Sequence, residues 1–162
     1  MKKLLCIYCL LCMTALAYAQ NLKFNANGKF KIVQFTDVHY IFNDPRAEVA
    51  IERINEVLNA ENPDLVMFTG DVIYGKPAEK SMRTVLEQVS KRKIPFAVTF
   101  GNHDDEQGLS REKLFEIIEN IPYSLTATTK GISGTTNFIL PVKSSDGQKD
   151  AEILYVFDSH SY

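Results

Sequence analysis

The sequence predicts an α/β fold, a parallel βαβαβα core followed by a β-hairpin. Short runs of β-branched and aromatic residues alternate with segments of helical spacing. Each of the first three runs stops at a polar cluster, and two further extended runs flank a turn sequence near the end.

Phe30 to Thr36, FKIVQFT, reads as the first strand. Arg46 to Ala60 then places Ala47, Ala50, Ile51, Ile54, Val57 and Leu58 on one helical face. Asn62-Pro63 ends that helix, because proline disfavours helical backbone in the residue before it. Leu65 to Thr69, LVMFT, is continuously apolar, as expected of a strand buried on both faces by flanking helices. Met82, Val85, Leu86 and Val89 return to helical spacing, and Pro95 to Phe100 forms the third strand. The third helix runs from Arg111 to about Asn120, with Ser110 as N-cap and Leu109 stapled against Leu114. This order implies a parallel sheet with right-handed crossovers. Asn137 to Val142 and Glu152 to Asp158 are expected to pair across SSDGQKD, whose Asp146-Gly147 suits a hairpin.

With 45% hydrophobic and 23% charged residues, the 162-residue chain has the balance of a globular domain. Its first segment stands apart. Lys2 and Lys3 precede an apolar run from Leu4 to Ala17, and Ala17-Tyr18-Ala19 is a small-x-small cleavage signal, so residues 1–19 are expected to be a signal peptide. The run is shorter than the ~20 residues of a bilayer span, so no stable membrane span is expected. Lipidation at Cys12 is the weaker alternative, since Leu11 is bulky where a lipoprotein signal usually has a small residue. Residues 20–162 are then an exported chain, periplasmic or secreted. Cys6, Cys9 and Cys12 all lie in the signal, which leaves only oxygen and nitrogen donors for chemistry. The formal charge of −2 becomes about −4 without Lys2 and Lys3. Lys91-Arg92-Lys93 is the single basic triplet and sits at a helix end, so no nucleic-acid partner is expected.

Three strand ends hold the polar clusters: Thr36-Asp37-Val38-His39, Gly70-Asp71 and Gly101-Asn102-His103-Asp104. The 34 residues from Asp37 to Asp71, and the 31 from Asp71 to Asn102, match βαβ units of ~30 residues or more. In a parallel sheet these ends share the carboxyl edge, where open α/β folds place ligands. Asp37 and His39 are two apart, so persisting strand geometry would turn both toward one cation. Asp71 has two oxygens with which to bridge two cations, and Asn102 adds an amide oxygen. Such donors suit zinc, iron or manganese. Glycine before Asp71 and Asn102 permits sharp turns and close approach. Singly, an aspartate at a strand end is usually a turn former, and a lone histidine a surface group. The coincidence of clusters, which uses two of the chain's three histidines, favours a shared metal site.

The trio D-x-H, G-D and G-N-H-[DE], spanning Asp37 to Asp104, resembles the calcineurin-like metallophosphoesterase superfamily. GISGTTNFILPV and FDSHSY look like its branch of exported bacterial phosphohydrolases and Dcr2-type, purple-acid-phosphatase-related proteins. The resemblance implies the first half of a four-layer α/β/β/α sandwich and two divalent or trivalent metal ions of the iron, zinc or manganese class. It implies Asp37 and His39 on the first metal, Asp71 bridging both and Asn102 on the second. His103 would protonate the leaving oxygen of a small phosphate ester, with Asp104 orienting its ring. Two ions ~3.5–4 Å apart would activate a bridging water and clamp the phosphate oxygens.

The family also uses three later histidines, two of them in G-H-x-H, which this sequence lacks. Residues 20–162 are therefore expected to be the N-terminal portion of the domain, with little hydrolysis of their own. His160, with no glycine before it, is expected to be structural or pocket-lining rather than a ligand. A phosphodiesterase of the same superfamily, or a non-catalytic metal- or phosphate-binding domain, are the alternatives. Tyr40, Asn43 and Tyr74 lie beside the motifs and are candidates to line the pocket, although exposed loop tyrosines are common.

Overall fold

Strands β1 (Ile32–Phe35), β2 (Leu65–Thr69) and β3 (Phe96–Thr99) pair in parallel in the order β1-β2-β3. This is a computed structural model that describes residues 22–161, so the predicted signal peptide and its cysteines lie outside the described residues. Helix α1 (Glu48–Glu61) connects β1 to β2, and α2 (Ala78–Ser90) connects β2 to β3. A 3₁₀ turn, Asp104–Gln107, and α3 (Arg111–Glu119) follow. Asn62 ends α1 in left-handed backbone at φ 44°, its N–H donating to the Leu58 carbonyl at 3.1 Å. Ser110 caps α3 as predicted, its hydroxyl accepting the Lys113 N–H at 3.3 Å. Helix α1 begins two residues later than the periodicity suggests, because Asp44 first holds Arg46 in a turn.

Adjacent strands joined by crossovers of one hand put every helix on one face of the sheet. Val66 and Phe68 of β2 and Phe96 and Val98 of β3 accordingly pack against Leu58, Met82, Leu86 and Leu114. Leu65, Met67 and Ala97 point the other way. The apolar strand LVMFT is thus buried on both sides, but among the described residues helices cover only one of them. The other is covered by a hairpin of β4 (Phe138–Lys143) and β5 (Asp150–Val156), which presents Phe138, Leu140, Val142 and Val156. Its strands pair Phe138 with Val156 and Leu140 with Leu154, and Gly147, at φ 76°, donates to Ser144 across the predicted turn. The segment before β1 adds to the same core, with Leu22 and Phe24 bonded to Lys143 at 2.8 and 2.9 Å.

Strand alternation leaves the opposite face of the hairpin bare: Ile139, Ile153 and Tyr155 are exposed, and Phe157 continues that row. No helix among the described residues is long and apolar enough to cross a membrane.

Candidate metal centre

Beyond Phe35 and Thr69 the first two strands become irregular yet remain side by side. Asp37 donates its N–H to the Gly70 carbonyl at 3.1 Å, His39 to that of Asp71 at 2.9 Å, and Tyr40 to that of Val72 at 3.0 Å. Asp37, His39 and Asp71 have φ of 52°, 49° and 52°, the left-handed region that residues with a Cβ seldom adopt. Such backbone costs of order 1–3 kcal/mol per residue and persists where surrounding structure overrules it, characteristically at functional sites. Convergence therefore comes from three matched left-handed turns rather than from continued strand alternation between Asp37 and His39.

One donor atom from each of Asp37, His39 and Asp71 lies within 4.8 Å of the others. His39 Nε2 is 3.2 Å from Asp71 Oδ2 and 4.0 Å from Asp37 Oδ1. Two carboxylates and an imidazole gathered this closely fit a borderline cation such as Zn²⁺, Mn²⁺ or Fe²⁺. Asp71 is buried, while Asp37 and His39 remain open to solvent, so an ion can enter from outside.

The third strand end arrives by a close approach of backbones. A Cβ on Gly101 would sit 2.1 Å from Asp71 Oδ1, and one on Gly70 would sit 2.8 Å from the Gly101 Cα. Only glycine at both positions allows the loop from Gly101 to His103 to lie against Asp71. There His103 donates its N–H to Asp71 Oδ1 at 2.9 Å, so the two Asp71 oxygens divide between that loop and His39. Burial works to raise the Asp71 carboxyl, but the His103 amide and the His39 and His103 imidazoles overcome it and hold it below the usual carboxylate range. Asn102 lies between Gly101 and His103, both of whose amides are held by carboxylates.

Asp104 has a different task from the one that the resemblance implies. Its carboxylate is fully buried and accepts four backbone N–H groups: Asp71 at 3.0 Å, Val72 at 2.8 Å, Ile73 at 3.1 Å and Gly101 at 2.9 Å. Both oxygens are committed to clamping one loop onto the other, so Asp104 does not orient the His103 ring. Glu106 does, with Oε2 2.7 Å from His103 Nδ1. That bond raises the His103 pKa above its ordinary value, and the charges of Asp71 and Asp104 add to the rise. Of the three residues beside the motifs, Tyr74 reaches the site. Its ring stacks on His39 at 5.3 Å and meets His103 edge-on at 5.1 Å, and the two imidazoles are 5.7 Å apart. Tyr40 is instead a core residue whose hydroxyl donates to Glu48 at 2.8 Å; burial and that carboxylate push its pKa up to about 12. His160 is no member of the donor cluster, and its N–H donates to Asp158 at 3.0 Å.

The model of the calcineurin-like phosphoesterase family matches residues 30–157, a span that includes every residue of the cluster. This chain belongs to that family. It is 37% identical over 170 residues to phosphatase DCR2 of Saccharomyces cerevisiae, covering 89% of this chain and 29% of the yeast protein. It is 30% identical over 183 residues to probable inactive purple acid phosphatase 29 of Arabidopsis thaliana, covering 95% of this chain and 46% of the plant protein. A probable glycerophosphodiester phosphodiesterase of Arcobacter nitrofigilis matches at 26% identity over 77% of this chain and 50% of its own length. The chain thus spans half or less of the length of these relatives.

Proposed function

We propose that this chain supplies the first part of a metal-dependent phosphoric-ester hydrolase. The observation that carries the proposal is the convergence of Asp37, His39 and Asp71 within 4.8 Å, beside a histidine whose Nδ1 is bound by a carboxylate. When bound, a cation polarises a phosphoryl oxygen and lowers the pKa of water. Asp37, His39 and Asp71 would hold it, and Asn102 would contribute to a second ion at the adjoining loop. Glu106 fixes the His103 imidazole through Nδ1, and His103 in turn would give a proton from Nε2 to the departing alkoxide, a contribution typically worth ~10²–10⁴ in rate. A small phosphate ester is the substrate class we assign, with a monoester favoured by the relationship to phosphatase DCR2. We further assign the chain to an exported compartment through residues 1–19, a reading that N-terminal sequencing of the protein from its host would test.

A second reading is a non-catalytic metal- or phosphate-binding domain. It draws support from three plant relatives whose names carry "probable inactive". Joining the chain to a downstream segment containing G-H-x-H and assaying a chromogenic phosphate monoester with added Mn²⁺ or Zn²⁺ separates the two. Turnover that is lost in His103→Ala supports the hydrolase, whereas metal binding without turnover supports the alternative.

A further inference from the structure

Arg111, the first residue of α3, is buried, with its side chain only 9% exposed. Its guanidinium reaches three parts of the chain at once. Nη2 donates to the Gly101 carbonyl at 2.8 Å, Nε lies 3.6 Å from Asp105 Oδ1, and Nη1 lies 3.6 Å from Asp158 Oδ1. The same group sits over the Phe100 ring, 5.5 Å from its centroid. Lysine has no planar fork and cannot serve three such directions together.

Asp158 follows β5 and has a fully buried side chain. Its carboxylate accepts N–H groups from Thr135 at 2.9 Å, Thr136 at 3.2 Å and His160 at 3.0 Å, and the Thr136 hydroxyl at 3.3 Å. Thr136 also accepts the Phe100 N–H at 3.2 Å. Thr136, Asn137 and Asp158, from the stretches GTTNF and FDSH that contribute no donor to the cluster of Asp37, His39 and Asp71, therefore form a buried polar wall behind the loop that starts at Gly101. Arg111 connects the wall to the loop.

We propose that Arg111 is a positioning residue for Asn102 and His103: drawn toward the Asp158 charge by an ion pair at 3.6 Å rather than by a hydrogen bond, it fixes the Gly101 carbonyl through Nη2, and through it the loop that carries both side chains. The proposal deepens the hydrolase reading by giving that site a support outside its donor set. Its geometric content is independent of whether hydrolysis occurs. The loop is gripped from two sides, by Asp104 at the Gly101 N–H and by Arg111 at the Gly101 carbonyl. The Asp37 and His39 loop is held by backbone bonds to Gly70 and Asp71 and touches neither Arg111 nor Asp158 through any of those bonds.

Hydrogen exchange in the metal-free chain tests this. Removing Arg111 alone would strand the buried Asp158 charge, so the pair Arg111→Met with Asp158→Asn is used, and Arg111→Lys serves as the milder variant. Loss of a hydrogen bond from a charged donor is expected to speed exchange of the Gly101 and His103 amides roughly 10- to 100-fold. The His39 and Tyr40 amides, bonded to Asp71 and Val72, are expected to keep wild-type rates. Equal acceleration of all four amides would mean that Arg111 only adds global stability, and unchanged Gly101 and His103 amides would mean that it does not hold the loop; either result overturns the proposal. Failure of the wild-type chain to bind metal would instead count against the hydrolase reading and leave this exchange result intact.

Discussion

At the carboxyl edge of the parallel sheet the residues that hold the backbone in place are buried and charged, Asp104 and Asp158 foremost, while the β4-β5 hairpin packs on the sheet chiefly through Phe138, Leu140, Val142 and Val156. Hydrophobic contact is non-directional and roughly proportional to area, so it fixes a sheet against a sheet without fixing a particular atom. Hydrogen bonds to a buried carboxylate are directional. Four of them on Asp104 determine where Asp71 sits relative to Gly101 to within the geometry of an N–H···O bond. The edge that must present donors to an ion is thus organised by polar groups, and the layer that merely closes the core is organised by apolar ones.

The sharpest way to break this contrast is Asp104→Ala. Three buried amides and the partly buried one of Gly101 would lose their acceptor, and each unsatisfied buried group costs about 1–3 kcal/mol, so a loss of more than ~3 kcal/mol is expected in urea denaturation. A loss below ~1 kcal/mol would show that the clamp is dispensable. In the hairpin, Leu140→Ala should cost about 2–5 kcal/mol through transfer and cavity terms. Tyr155→Ser, on the exposed face of the same hairpin, should stay within ~0.5 kcal/mol. Equal effects from these two would mean that the bare face is covered in solution.

Acidification should separate the two regions further. Burial works to raise the Asp158 carboxyl, but the amides of His160, Thr135 and Thr136 and the Arg111 charge outweigh it, and its folded value lies below the ordinary carboxylate. Its contribution is therefore present above the unfolded value of about 3.9 and is lost as pH falls through the lower folded value. Asp158→Asn should flatten the acid limb of stability against pH, as read by thermal melts, whereas Tyr155→Ser should leave that limb unchanged. A smaller, local effect is expected from Glu106→Gln. Replacing the charged acceptor that raises His103 by a neutral amide should move its imidazole titration toward lower pH in NMR of the metal-free chain, and an unmoved titration would show that Glu106 does not act on the ring.

Much of this arrangement is legible before folding. LVMFT, the Ser110 cap and the Asp146-Gly147 turn can be read because period, capping and turn chemistry are local. The strand order could also have said which face lacks helices, since crossovers of one hand leave the other side of the sheet for the hairpin. The motif residues converge as expected for Asp37, His39 and Asp71, but the left-handed turns that bring them together follow from the pairing of two loops far apart in sequence. Asp104 was misassigned for a similar reason. An aspartate after a histidine suggests a ring partner, and nothing local says that amides more than thirty residues upstream will claim both oxygens. Glu106 did leave a signal, an acid three residues after His103 in DDEQ, the spacing that one helical turn brings together.

The proposed function requires Asp37, His39 and Asp71 to act together on one cation. Isothermal titration of the purified chain with Zn²⁺ or Mn²⁺, repeated on His39→Ala and Asp71→Asn, tests it most directly. Saturable binding by the wild type that is lost or weakened at least ~10-fold in each variant is the expected result. Absence of binding, or binding that both variants retain undiminished, would contradict it.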